Sequence, residues 1–178
     1  MELREVLTVF AMCAVAANAA SAVLIAGRIM TPIGGSAVVR WSRARGGELA
    51  AGVALIATLG SLYLSEVGHL VPCRYCWFQR VCMYPLALIL VIAVFTRDRR
   101  VRRYAAPLAA VGLTISTWHY LIQVFPSLED ANSCNLLNPC TVRYSWKFGF
   151  VSIPYMAGSA FVLVLVLLWG RSRASRIG

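Results

Sequence analysis

Five long apolar runs dominate the chain and limit what it can fold into. Each holds 19 to 22 residues, and the runs are Val6–Ala26, Leu49–Val67, Trp77–Phe95, Tyr104–Phe125 and Val151–Trp169. A helix needs about 20 mostly apolar residues to cross a bilayer. Strands of a membrane barrel would instead alternate apolar and polar residues over about ten positions, which these runs do not do. The runs therefore predict five membrane-spanning helices.

The composition agrees with this prediction and excludes other classes of protein. Hydrophobic residues make up 60% of the chain and charged residues only 13%, whereas an ordinary soluble domain has about 45–50% and about 25%. Disorder is excluded because it requires low hydrophobicity. A soluble globule of 178 residues is too small to hide this much apolar surface from water. We therefore expect an all-α integral membrane protein.

The basic residues indicate how the helices are oriented. The chain has 17 Lys+Arg against 7 Asp+Glu, a net charge of +10. Twelve of the basic residues lie in three segments that five spans place on one face: Arg28, Arg40, Arg43, Arg45, Arg97, Arg99, Arg100, Arg102, Arg103, Arg171, Arg173 and Arg176. Because positive charge concentrates in cytoplasmic segments, we expect this face to be cytoplasmic. Nucleic-acid binding is not indicated, because no folded domain presents these arginines as one patch.

The first run has one feature of a cleavable signal peptide, the small residues at 20–22. Its leading segment lacks the positive charge of such peptides, because Arg4 stands between Glu2 and Glu5. Cleavage would also leave the basic segment 28–45 outside, against the positive-inside rule. We therefore favour an uncleaved first span.

The six cysteines divide into two groups by position. Cys13 and Cys82 lie inside spans, where a free cysteine packs as a small apolar residue. The other four lie at the start of the third span or in the loop 126–150: Cys73, Cys76, Cys134 and Cys140. Both places are on the face opposite the arginines, where disulfides form and persist.

Three interpretations of these four cysteines are open. Two structural disulfides require only that the cysteines pair. A zinc site has the required number of thiolates, although an oxidising compartment opposes four reduced cysteines. Redox catalysis is favoured, because Cys73 and Cys76 have the Cys-x-x-Cys spacing of thiol–disulfide catalysts. Cys134 and Cys140 would close a short ring in an exposed, turn-rich loop, which suits exchange with a protein partner.

The residues around the first pair strengthen the redox interpretation. Pro72 stands directly before the helical run, so Cys76 falls in the first helical turn. Unsatisfied backbone N–H groups and the positive end of the helix dipole stabilise a thiolate there, which predicts that Cys76 is the reactive sulfur. Arg80 follows one turn later on the same face. We expect Arg80 to face a polar ligand or a thiolate, the alternative being that it snorkels to the outer surface.

His119 is another polar residue inside a span. It lies toward the outer end of the fourth span, on the side of the cysteines, with Gln123 one turn further on. A lone polar residue in a span often links helices by a hydrogen bond. The alternative is a ligand-binding or proton-handling role near Arg80. The aromatic run at 146–150 is typical of the membrane interface, so we expect the loop to lie on the bilayer near the third span.

Taken together, these motifs resemble the DsbB family of membrane disulfide oxidoreductases, particularly its BdbC-type branch. The resemblance rests on Cys73-x-x-Cys76-Trp-Phe-Gln-Arg80, Met83-Tyr84-Pro85-Leu86, His119-Tyr120, the closely spaced Cys134 and Cys140, and Trp146-x-Phe148-Gly149-Phe150-x-Ser152-Ile153-Pro154. It extends from about Leu49 to Trp169. The related vitamin K epoxide reductase family places its loop pair before the Cys-x-x-Cys, whereas here it follows, so that alternative ranks lower.

The resemblance implies a four-helix transmembrane bundle with an additional N-terminal transmembrane helix. We expect residues 1–47 to form that helix and a basic cytoplasmic loop, residues 48–170 the DsbB-like domain, and residues 171–178 a basic cytoplasmic tail. The resemblance also implies a multi-pass protein of the bacterial cytoplasmic (inner) membrane, in contact with lipid. The cysteine loops would lie on its extracytoplasmic face.

The resemblance gives the residues near the third span a role in reducing a quinone. Cys73 and Cys76 would cycle between dithiol and disulfide beside a bound quinone, either ubiquinone or menaquinone. Cys76 would be the sulfur that meets the quinone ring. Arg80 would polarise a quinone oxygen, and His119 would assist.

The resemblance gives the loop pair a role in exchange with a partner. Cys134 would exchange with a thioredoxin-fold, DsbA- or BdbD-like thiol oxidase outside the membrane, and Cys140 would exchange with Cys73. Neither a metal nor nucleic acid is implied.

Overall fold

The computed structural model describes residues 3–30, 36–98, 100–128 and 139–169 of the chain. In these residues the protein is helical, with one isolated antiparallel bridge between Lys147 and Val151. The helices are α1 (Leu3–Met30), α2 (Ala37–Glu66), α3 (Arg74–Phe95), α4 (Arg102–Val124) and α5 (Ile153–Trp169), with a 3₁₀ turn at Pro126–Leu128. The predicted all-α class is confirmed, and each predicted span corresponds to one helix.

Four of the described helices, α1 to α4, are long and apolar enough to cross a membrane. The most apolar 18-residue windows of these four have mean hydropathies between 1.2 and 2.1. The described part of α5 is also apolar but has only 17 residues, which is shorter than a typical span. The prediction of a multi-pass helical membrane protein is therefore confirmed.

Helix α2 begins earlier than its apolar run predicts. It starts at Ala37 rather than near Leu49, and the Ser36 side chain caps it by accepting a hydrogen bond from the backbone N–H of Val39. Arginine is a good helix former, so the basic residues ahead of the apolar run continue the helix instead of ending it. Much of the predicted basic loop is therefore the first three turns of α2.

The helices pack so that α3 lies between α2 and α4, while α5 contacts α1, α2 and α4. Close approach depends on small residues. A Cβ atom on Gly112 of α4 would lie 2.3–2.8 Å from ring carbons of the fully buried Phe161 on α5. A Cβ atom on Gly46 of α2 would lie 2.6 Å from the carbonyl oxygen of Leu167. These glycines let the helix backbones meet, as is common in membrane bundles.

Polar side chains attach α1 to α5. The Nδ2 atom of Asn18 donates hydrogen bonds of 2.9 Å to the hydroxyls of Tyr155 and Ser159. Near the other end of α1, Arg28 donates to the backbone carbonyl of Val166, in the last turn of α5. A cation at the carboxyl end of a helix is electrostatically favourable. The added helix is therefore bound to the bundle by specific contacts as well as by apolar packing.

Residues 139–152, called here the loop segment, fold over the outer end of α4. Gln123 donates a 3.1 Å hydrogen bond to the carbonyl of Val142, and Arg143 donates a 2.9 Å bond to the carbonyl of Gln123. The Arg143 guanidinium lies 4.1 Å from the ring centroid of Trp146, which itself stacks on Tyr120. The described part of the loop thus lies on α4. It also reaches the start of the third span, near which it was predicted to lie, because the Tyr144 hydroxyl donates a 3.3 Å hydrogen bond to the carbonyl of Val71.

Candidate functional site

Cys73 is the N-cap of α3. Its backbone is extended, with φ −71° and ψ 174°, and its Sγ atom accepts a 3.4 Å hydrogen bond from the backbone N–H of Cys76. The first N–H groups of a helix have no partner within the helix, so a side chain at this position satisfies one of them. A sulfur at this position also lies at the positive end of the helix dipole, which favours a thiolate.

The two sulfurs of the Cys-x-x-Cys pair are 3.0 Å apart and both cysteines are free. The pKa of Cys73 is lowered to about 4, chiefly because the side chain of Cys76 hydrogen-bonds to it. Burial opposes this shift, while His119 and the Cys76 backbone N–H add to it. The sequence predicts Cys76 as the reactive sulfur, whereas in the structure the backbone N–H of Cys76 and the ring of His119 both face Cys73.

His119 of α4 is buried directly beside the pair, with 1% of its surface exposed. Its Nε2 atom lies 3.6 Å from Sγ of Cys73 and 3.2 Å from the backbone carbonyl oxygen of Cys140. Its Nδ1 atom lies 3.1 Å from Nε2 of Gln79 on α3. The ring of Tyr75 covers it at a centroid distance of 5.6 Å. His119 thus contacts one residue of each cysteine pair.

Gln79 is a site residue that the sequence analysis did not single out. It is buried, and it is three residues from Cys76, so the two side chains share a face of α3. The signal for Gln79 in the sequence is an amide side chain one helical turn after Cys76, inside an apolar run. Its importance depends on His119, which is 40 residues away in the chain.

Arg80 lies on another side of α3 and contacts α2. Its Nε atom donates to the Ser61 hydroxyl and its Nη2 atom to the Ser61 carbonyl, each at 3.0 Å. Its guanidinium carbon lies 5.3 Å from the ring centroid of Trp77. No hydrogen bond joins Arg80 to His119, both of which belong to the described part of the chain. Successive helical residues point about 100° apart, so Gln79 reaches α4 while Arg80 reaches α2.

The loop pair is described only in part. Cys140 is fully buried and disulfide-bonded, whereas Cys134 lies outside the described residues. Beside the Cys-x-x-Cys pair is a cavity of about 10 Å³, lined by Cys73, Cys76, His119, Gln123, Pro139, Val142, Tyr144, Ile153 and Pro154. A cavity of that size has room for about one water molecule. The loop segment therefore closes the site above the pair.

The remaining two cysteines lie apart from this site. Cys82 is buried in the apolar core, as predicted, and Cys13 lies on an exposed face of α1.

The ligand atoms of Cys73, Cys76 and His119 lie within 4.8 Å of one another, which raises the question of a metal. Two thiolates bound tetrahedrally to one zinc ion, at 2.3 Å each, would have sulfurs about 3.8 Å apart. The observed 3.0 Å is much shorter. The two sulfurs are thus closer together in this structure than two sulfurs that share a zinc ion.

The fold and the site together define a helical membrane protein with a Cys-x-x-Cys pair at the start of α3, beside a buried histidine. A family model described as "Disulfide bond formation protein DsbB" matches residues 46–170. The chain belongs to this family of membrane disulfide oxidoreductases, which confirms the resemblance noted from the motifs. Helix α1 precedes the matched region.

Individual relatives agree with the family match. The chain is 47% identical over 116 residues to "Disulfide bond formation protein C" of Bacillus subtilis, covering 65% of this chain and 84% of the relative. It is 44% identical over 115 residues to a "Probable disulfide formation protein C 1" of Bacillus cereus, covering 65% and 83%. It is 43% identical over 116 residues to a "Probable disulfide formation protein" of Coxiella burnetii, covering 65% and 79%. No solved structure matches the chain.

Proposed function

We propose that this protein reoxidises a thioredoxin-like thiol oxidase outside the cytoplasmic membrane and passes the electrons to a membrane quinone. Electrons would move from the partner's thiols to Cys134–Cys140, then to Cys73–Cys76, then to ubiquinone or menaquinone. The observation that carries the proposal is the position of Cys140. Its backbone carbonyl and the low-pKa sulfur of Cys73 both lie next to the Nε2 atom of His119.

The transfer between the pairs is a double thiol–disulfide exchange. The Cys140 thiolate would attack the Cys73–Cys76 disulfide at Cys73, forming a Cys140–Cys73 bond and releasing the Cys76 thiolate. The Cys134 thiolate would then attack the sulfur of Cys140, which restores the loop disulfide and releases the Cys73 thiolate. Two electrons pass to the Cys-x-x-Cys pair, and two protons are lost as the loop thiols ionise.

The lowered pKa of Cys73 suits it to this role. A thiol of low pKa leaves more readily from a mixed disulfide, and a pKa of about 4 keeps Cys73 ionised at neutral pH. The N–H of Cys76 and His119 both face that charge, so they stabilise the leaving sulfur.

The residues present fit a quinone on the outer surface of α3, and the cavity beside Cys73 does not. Ligand pockets usually hold about 300–1,000 Å³, far more than the cavity of about 10 Å³. By contrast, Trp77 is exposed and its ring centroid lies 5.3 Å from the guanidinium carbon of Arg80, whose Nη1 atom donates to none of the described residues. An exposed aromatic ring with one available cationic donor suits a quinone carbonyl. A quinone bound there would accept the two electrons from the Cys-x-x-Cys pair.

The charge pattern supports the proposed orientation. The basic segments would face the cytoplasm and the cysteines would face outward, where a thiol oxidase is available and disulfides persist. A quinone is soluble in the bilayer, so an acceptor pair at the edge of the membrane can meet both substrates.

The test is quinone reduction by the purified full-length protein, supplied with a reduced thioredoxin-fold thiol oxidase and either short-chain ubiquinone or menaquinone. Cys76→Ser should abolish quinone reduction, whereas Cys13→Ser, a change on the exposed face of α1, should not affect it. Undiminished reduction in Cys76→Ser would overturn the proposal. Absence of any reduction by the wild-type protein with both quinones would favour two structural disulfides instead.

A further inference from the structure

The hydrogen bonds around His119 determine where its proton lies. A backbone carbonyl can only accept, so the Nε2 atom that faces the Cys140 carbonyl at 3.2 Å must carry the hydrogen. The same N–H also lies 3.6 Å from Sγ of Cys73. In a neutral imidazole the other nitrogen, Nδ1, is then an acceptor.

Gln79 supplies the donor that this arrangement requires. Its side-chain amide is 3.1 Å from Nδ1 of His119, and no other described residue hydrogen-bonds to that atom. The alternative tautomer, with the hydrogen on Nδ1, would turn a lone pair of Nε2 toward both the Cys140 carbonyl and the Cys73 sulfur. That arrangement is repulsive when the sulfur is a thiolate.

We propose that Gln79 is a positioning residue that holds His119 in the Nε2–H tautomer, so that one imidazole N–H serves the sulfur of Cys73 and the carbonyl of Cys140 together. This links the Cys-x-x-Cys pair to the loop pair through a residue that belongs to neither. The inference concerns the thiol chemistry of the site and does not depend on the quinone or on the partner of the proposed function.

Few other ionisable groups in the described part of the chain face these atoms. Those around Cys73 and His119 are Cys76 and Tyr75 of α3 and Tyr144 of the loop segment. The pKa of Tyr144 is raised, first by burial and then by the charge of the cysteine pair, so it is neutral at physiological pH. Arg80 is directed toward α2, away from His119. Among the described side chains, Gln79 is therefore the one that hydrogen-bonds to Nδ1 of the His119 ring.

The first test is the ¹⁵N spectrum of His119 in the full-length protein, with Cys73 and Cys76 reduced. The wild-type protein should show a neutral ring protonated at Nε2. Gln79→Met, which keeps the length of the side chain but has no donor, should give a mixture of tautomers. Gln79→Glu should give an imidazolium, because a carboxylate accepts a proton from Nδ1. A wild-type ring protonated at Nδ1 would overturn the inference, whether or not the variants fold.

The second test is the pH dependence of Cys73 alkylation, followed on its own peptide by mass spectrometry. Gln79→Met should move the profile to higher pH by about one unit, because the thiolate loses a fully occupied hydrogen bond. Gln79→Glu should leave the profile at its wild-type position or lower, because the imidazolium keeps its Nε2–H. A purely structural role would shift both variants upward, and that result, or no shift in Gln79→Met, would overturn the inference.

Gln123→Met is the matched control. Gln123 is an equally buried glutamine, one turn from His119, and it donates to the loop segment rather than to the ring. This variant should leave the tautomer of His119 unchanged. Neither test uses a quinone or a thiol oxidase, so failure of this inference and failure of the proposed function are separate results.

Discussion

Arg80 and Ser61 form a two-point contact between α3 and α2, since the guanidinium donates 3.0 Å hydrogen bonds to both the hydroxyl and the backbone carbonyl of Ser61. Tyr84 donates to the same hydroxyl at 3.3 Å. The planar guanidinium is thereby fixed in orientation beside the exposed ring of Trp77. A preorganised donor of this kind binds a ligand at a lower cost in side-chain entropy than a mobile one.

Loss of the Arg80 guanidinium should weaken quinone binding more than partner binding. In steady-state kinetics, Arg80→Ala should raise KM for the quinone about tenfold or more, because a hydrogen bond from a charged donor contributes about 1.5–3 kcal/mol. Ser61→Ala removes only one of the two hydrogen bonds that hold Arg80, so it should raise KM for the quinone less than Arg80→Ala does. An equal rise in KM for the thiol oxidase would show that Arg80 acts only in packing α3 against α2.

Cys73 should react as a thiolate well below neutral pH. Its folded-state pKa of about 4 is below that of an unfolded cysteine, about 8.5. Alkylation of the reduced protein should therefore remain fast from pH 8 down to about pH 5. By linkage, the stability that this thiolate contributes is complete above the unfolded pKa and is lost as the pH falls toward the folded pKa.

The source of this shift is also testable. Cys76→Ala removes the largest contribution, the hydrogen bond from the Cys76 side chain, and should move the alkylation profile to higher pH. Cys76→Ser keeps a hydrogen-bond donor at that position, so it should move the alkylation profile of Cys73 less. Identical profiles for the two variants would contradict the assignment of the shift to that hydrogen bond.

The aromatic contacts of Trp146 should hold the loop segment over the site. Trp146→Ala removes both the contact with Arg143 and the stacking on Tyr120. Together these are worth about 1–2 kcal/mol, so amide hydrogen exchange in residues 139–152 should become about tenfold faster. Trp41, exposed near the start of α2, provides a control, since Trp41→Ala should not affect that exchange. Unchanged exchange in Trp146→Ala would mean that the backbone contacts suffice.

Two helical glycines should respond oppositely to the same substitution. Gly112→Ala places a methyl group against the buried ring of Phe161 and should destabilise the bundle by about 1–3 kcal/mol. Gly52→Ala meets no atom within 4 Å and should stabilise α2 by about 0.5–1 kcal/mol, because alanine is the better helix former. Unfolding midpoints in detergent measure both changes. A stabilised Gly112→Ala would contradict the tight α4–α5 packing.

Local features of the sequence were sufficient to predict the helices. Runs such as Trp77–Phe95 have the length and apolarity of a span, which depend only on neighbouring residues, so each run appears as a helix. The boundaries were less predictable, because apolarity says little about where a helix with a basic first turn begins. Helix α2 therefore starts at Ala37, far before its apolar run.

The sequence by itself determined that Cys73, Cys76 and Arg80 lie at the start of one helix, because their spacing fixes their relative positions along the chain. Only the tertiary structure decided which neighbours they meet. It turns Arg80 toward Ser61 of α2, and it brings His119 of α4 to Cys73 across 46 residues of sequence. These contacts determine the surroundings of the two sulfurs, and the stability of a charge on either sulfur depends on the groups packed around it.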